Sequence, residues 1–196
     1  MRHETTRELF RYWNRVRKER SSPERDEIDP AAIRHILADT FLLEKKPDGT
    51  FPVRLSGTRL DALWLADQKG RCFLDFWGDD RHAVAAALWS VMDGSVPVVL
   101  GARASPPGRP AVGVEGLLLP LRHHGRTHSL MLGTLSLAEP PSWIGLVAIE
   151  QLKLVSLRMI SPADFAAPPA MGGWAGLPGS RMVERRAHLT VYPGGR

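Results

Sequence analysis

The chain is poor in cysteine: Cys72 stands alone among 196 residues. A single thiol excludes an intrachain disulfide framework and a cysteine-rich zinc module. Long apolar stretches are missing too. The longest, Ala83 to Met92, has ten residues and is broken by Ser90, where a membrane-spanning helix needs about 20. The opening Met1-Arg2-His3-Glu4 turns polar at once, without the apolar core and small-residue cleavage site of a secretory signal. The expectation is a cytoplasmic protein with no membrane span. With 43% hydrophobic and 24% charged residues the composition is that of a globular chain, and its length suits one domain with extensions.

Nor is charge of one sign gathered anywhere. The net +5 divides into +1 over residues 1–39, −1 over 40–94, +3 over 95–161 and +2 over 162–196. A nucleic-acid face concentrates Lys and Arg, so no nucleic-acid partner is expected. Catalytic signatures are lacking as well: no Gly-x-Ser-x-Gly elbow, no Walker loop and no dinucleotide motif. The paired Asp79 and Asp80 fall at a helix start, where carboxylates complement the helix dipole without any catalytic role. No enzyme is expected.

What is present is a succession of patterned segments. Thr5 to Lys18 reads as an amphipathic helix, with Thr5 and Glu8 spaced as a capping box and Leu9, Trp13 and Val16 along one stripe beside Phe10 and Tyr12. Asp29-Pro30 begins a second short helix whose buried side would be Ile33, Ile36 and Leu37. Thr40 to Lys46 and Phe51 to Ser56 form a hairpin around Pro47-Asp48-Gly49-Thr50. Arg59 to Leu65 is a short helix, and Asp79 to Met92 a longer one. Strands follow over Pro97 to Ser105, Val112 to Arg122, Thr127 to Glu139 and Gln151 to Ile160. Residues 162–196 hold six Gly, five Pro and six Ala, so 162–182 are expected to be mobile, with Ala187 to Tyr192 a short strand able to dock. The division is an N-terminal helical cap (1–38), a core (39–161) and a Gly/Pro-rich tail (162–196).

Five blocks carry a resemblance in order and spacing. They are Leu9-Phe10-Arg11-Tyr12-Trp13 with Arg17, Asp26-Glu27-Ile28-Asp29-Pro30, Phe41-Leu42-Leu43-Glu44, Val53 through Leu60, and Gly70-Arg71-Cys72-Phe73-Leu74-Asp75-Phe76-Trp77. Over residues 7–160 the chain resembles a bacterial PAS subfamily found mostly as small single-domain proteins in alphaproteobacteria. The resemblance implies an α+β PAS fold: a five-stranded antiparallel sheet with helices on one face, here with an N-terminal helical cap. It also implies a non-catalytic sensory or protein-interaction role in bacterial signalling, with other signalling proteins as partners.

In such a fold a small ligand would lie between sheet and helices, lined by Leu63, Trp64, Phe73, Trp77, Leu88, Trp89, Leu118 and Met131. The same residues would fill a solid core, which is the alternative: a dimerisation or adaptor module. Leu9, Phe10, Trp13 and Val16 are expected to contact a second subunit in a homodimer. The competing account folds that helix back on its own sheet.

Flavin is argued against at Gly70-Arg71-Cys72-Phe73-Leu74-Asp75, which lacks the Asn, Arg and Gln of the flavin-binding motif it resembles. Cys72 then acts as a small buried hydrophobe. Haem would need an axial His on the longer helix. His82 lies there, but in a charged first turn that favours exposure. His123, His124 and His128 surround a Gly-Arg turn with no carboxylate or thiol to complete a metal site. A haem- or metal-dependent sensor is therefore the distant alternative.

Overall fold

The computed structural model describes residues 1–123, 126–160, 185–186 and 189–191. Among these described residues three α-helices, α1 (Glu4–Arg17), α2 (Thr58–Trp64) and α3 (Arg81–Gly94), accompany strands β1 (Thr40–Glu44), β2 (Val53–Ser56), β3 (Val98–Ala104), β4 (Val112–His123), β5 (Arg126–Leu137) and β6 (Leu152–Met159). Two short strands, β7 (Arg185–Arg186) and β8 (Leu189–Val191), complete one sheet in the order β2-β1-β5-β4-β3-β6-β8-β7. The α+β class and the antiparallel sheet with helices are as expected. The sheet is wider than five strands, because β6 pairs along the whole outer edge of β3, from Val98 opposite Met159 to Ala104 opposite Leu152. These first six strands pair antiparallel, whereas β8 joins β6 in parallel. β8 falls inside the expected 187–192 strand. Residues 162–182 lie outside the described residues.

The sheet is a central layer with an apolar cluster on each side. On the inner side, Phe41, Leu43, Leu100, Leu118, Met131 and Leu154 meet α2, α3 and the turn Phe73–Phe76. On the outer side, Leu42, Val99, Leu117, Leu119, Leu121, Leu130 and Leu132 meet α1 and Ile28, Ile33 and Ile36. Strand side chains alternate between faces, so a strand buried on both reads as an unbroken apolar run, as Phe41-Leu42-Leu43 does.

The N-terminal helix folds back on its own sheet, as the competing account has it, and it starts differently from expectation. Leu9 and Trp13 are fully buried and Phe10 is 8% exposed, all within one chain; Val16 packs half-buried at the margin. The Trp13 indole Nε1–H donates to the Pro120 carbonyl at 2.9 Å. The stripe predicted to meet a second subunit is thus spent on the chain's own sheet, because β4 and β5 offer a complementary apolar outer face. The Thr5–Glu8 capping box is not formed. Instead Glu115 on β4 accepts the backbone N–H groups of Arg2 (2.7 Å) and His3 (3.0 Å), and Thr6 and His3 reach the Ser136 hydroxyl on β5.

Burial pushes the Glu115 carboxyl up, but the Arg2 and His3 N–H groups and Thr6 together outweigh it and hold it below the usual range. A depressed carboxyl contributes stability that is complete above the unfolded value and lost as pH falls through the folded one. Glu115→Gln should therefore cost about 2 kcal/mol near pH 7, and the deficit should close as acid protonates the wild type. Urea unfolding of both proteins across pH 3 to 7 checks this; an equal deficit at every pH would assign the loss to shape rather than charge.

Two further details differ from expectation. The Asp29-Pro30 start gives a single tight turn, Pro30–Ile33, in which the Asp29 carboxylate accepts the Ala31 N–H; Leu37 beyond it is exposed rather than buried. Asp80 does not cap α3 with its side chain. Its carboxylate accepts the Leu154 N–H at 2.8 Å and so pins β6 to the start of α3.

Candidate functional site

The inner layer gathers seven of the eight expected lining residues. Leu63, Phe73, Leu88, Leu118 and Met131 keep no surface that a water molecule could reach, and Trp64 and Trp77 are buried beside them. Their rings interlock: Trp64 stacks on Phe76 with centroids 4.2 Å apart, and Phe73 stacks on Phe41 at 5.1 Å. Such contacts add to burial because aromatic faces and edges carry opposite partial charge. The eighth, Trp89, does not belong to this layer. It lies exposed on the other side of α3, edge-on to Phe51 with the Lys45 ammonium 4.0 Å over its ring. Neighbouring helix residues point 100° apart, so Leu88 facing the sheet turns Trp89 away from it.

Two concavities among the described residues lie on the outer face, over β1 and β2. A chamber of about 410 Å³ is lined by Ile28, Ile33, Leu42, Leu55, Leu121 and Leu132, with the carbonyl-rich stretch Leu37–Thr40 at its side. A second, of about 630 Å³, adjoins it and shares Arg25, Leu42 and Leu55; it adds Lys46, Arg54, Lys69 and His123 against Asp26 and Glu44. The groove exists because residues 25–39 cross this half of the sheet as short turns, whereas α1 covers the β4–β5 half. A bulge between the Leu42–Leu55 and Leu43–Val53 pairs puts Arg54 and Leu55 together on its wall.

The crossing segment is fixed from below. Gly57 comes so close that a Cβ there would lie 2.3 Å from the Leu37 carbonyl oxygen and 2.4 Å from that of Ala38. Asp39, buried, takes an ion pair from Arg59 on α2. Burial pushes the Asp39 carboxyl up, and Arg59 offsets only part of that.

None of the groove residues is among those the sequence pattern singles out as ligand-lining. Leu42 and Leu132 alternate out of phase with Leu43 and Met131, which is a legible sign of a second apolar face. Arg25 and Leu55 sit in a turn and at a bulge, where no period applies. Of the other candidates, Cys72 is half-buried against the inner layer and His82 is exposed. The side chains of His124 and His128 lie outside the described residues. Among the described residues no three His, Cys, Asp or Glu side chains are grouped to hold a metal, and no helix is long and apolar enough to cross a membrane.

A five-strand order of β2-β1-β5-β4-β3, crossed by helices between β2 and β3 and layered by them on its inner face, defines an α+β architecture built on one central antiparallel sheet. The chain belongs to the PAS domain family, whose model matches residues 1–136, from before α1 to the end of β5. No curated protein and no solved structure matches it.

Proposed function

We propose that the chain is a non-catalytic PAS module of bacterial signalling that acts through protein contact, its inner layer serving as a solid scaffold and not as a ligand chamber. The observation that carries this reading is the closed aromatic layer: Leu63, Phe73, Leu88, Leu118 and Met131 leave no surface for even one water. Membership in the PAS family supports the sensory and interaction role. The five sequence blocks support placing it with the small single-domain proteins of alphaproteobacteria.

Enlarging a side chain separates a solid layer from a hollow one. Leu118→Phe should cost about 1–3 kcal/mol in urea unfolding, because extra volume in a filled core forces neighbours off their rotamers. A variant as stable as the wild type, or more so, would show spare space at this position and return the ligand-chamber reading. For the interaction role, photo-crosslinking of the full chain in its own cells should yield a discrete heteromeric product; recovery of the uncrosslinked chain alone would overturn it.

A further inference from the structure

The outer groove goes beyond that reading, since it lies on the opposite face of the sheet from the scaffold layer. Its two chambers differ in chemistry. The smaller is walled by branched aliphatic side chains, Ile28, Ile33, Leu42, Leu55, Leu121 and Leu132, and at about 410 Å³ has the volume of an ordinary small-molecule site. The larger carries Arg25, Lys46, Arg54 and Lys69 against Asp26 and Glu44, an excess of cations before His123 is considered. Glu44 is already shared by Lys46 at 2.9 Å and Arg54 at 3.7 Å. Arg25 and Lys69 have no carboxylate partner among the described residues. Arg25 lines both chambers and stands where apolar wall meets basic mouth. At the lip, Leu55 is 54% exposed and Leu37 36% exposed. Large aliphatic side chains beside a concave apolar wall mark a surface that gains by being covered.

We propose that this groove binds a free medium-chain fatty acid, its aliphatic chain lying between the 28–38 segment and strands β1, β2 and β5, and its carboxylate on Arg25. The aliphatic wall sets the apolar part of the ligand, because each methylene moved from water into it is favourable. The guanidinium sets the head group, because its planar fork matches a carboxylate with two parallel hydrogen bonds. Lys69 and Arg54 raise the local potential for an anion at the mouth. The wall is concave and roofed on one side by the crossing segment, which suits a single chain and not a flat bilayer.

Titration calorimetry of the full chain with dodecanoate, below its micelle-forming concentration, tests this. The wild type should bind one dodecanoate per chain and saturate. Arg25→Gln should weaken binding about tenfold or more, the usual worth of a charge-assisted hydrogen bond. Leu55→Glu, an exposed position whose change leaves the buried layers intact, should weaken it further by setting a carboxylate at the lip. Dodecanol, with the same chain and no charge, should bind more weakly than dodecanoate and be indifferent to Arg25→Gln. Circular dichroism of each variant should match the wild type. Absence of binding, unsaturable uptake, binding untouched by both substitutions, or association with phosphatidylglycerol vesicles but not with free dodecanoate would each overturn the assignment. Leu118→Phe reports only on the inner layer, so neither result depends on the other.

Discussion

Trp13→Ala will cost about 3–5 kcal/mol of folding stability, the range for deleting a fully buried aromatic side chain, and will leave the mass in solution unchanged. Trp13 has no exposed surface, stacks near Phe10 with ring centroids 6.2 Å apart, and donates its indole N–H to the Pro120 carbonyl. Alanine removes the ring and leaves that carbonyl without its donor, and both losses fall on a single chain. Urea unfolding combined with light scattering checks the two halves of the statement. A wild-type dimer that becomes a stable monomer on substitution would return the helix to the intersubunit role its amphipathic stripe first suggests.

Gly57→Ala should be nearly as costly, at about 3 kcal/mol, for a different reason. A glycine directly after a strand ordinarily marks a sharp turn of the chain. The backbone is in fact ordinary at this point, with φ −79°, a conformation alanine adopts without strain. The requirement comes from across the fold, where the Leu37 and Ala38 carbonyl oxygens occupy the space of a Cβ. Those atoms belong to backbone and cannot rotate away as a side chain would. The variant must push back the segment that walls the groove, so its loss should appear in urea unfolding and in dodecanoate binding together. Gly113→Ala, with nothing within 4 Å of the added carbon, is the control and should lose little. A similarly small loss at position 57 would show that the 37–38 segment is free to yield.

The contrast between these residues marks what a sequence carries. Periodicity located α1, α3 and every strand of the six-strand array to within a few residues, because a stripe or an alternation is written in consecutive side chains. An apolar stripe states that a helix is covered and is silent on what covers it. For α1 the answer lay a hundred residues away, in Leu117, Leu119 and Leu121 alternating with Leu118 and Pro120 on β4. Seven of the inner-layer residues were legible for the same reason. Trp89 is as apolar in sequence as Leu88, but one step further round α3 it faces away from the sheet. The groove was not legible: Arg25 sits in a turn, Arg54 and Leu55 at a bulge, and Gly57 answers to carbonyls supplied by a different segment. Irregular backbone sets such positions through three-dimensional proximity, which leaves no repeat to find.

The bond from Trp13 to Pro120 spans 107 positions of chain. During synthesis α1 therefore emerges long before the strands that cover it. At ordinary elongation rates the interval is on the order of 10 s, far longer than a helix needs to form. For that time Leu9, Phe10 and Trp13 have only solvent, the ribosome surface or a chaperone to face. Contacts so distant along the chain also slow the search for the native arrangement. A nascent chain stalled before β4 should accordingly be held by hydrophobic-binding chaperones, and one stalled after β5 released from them.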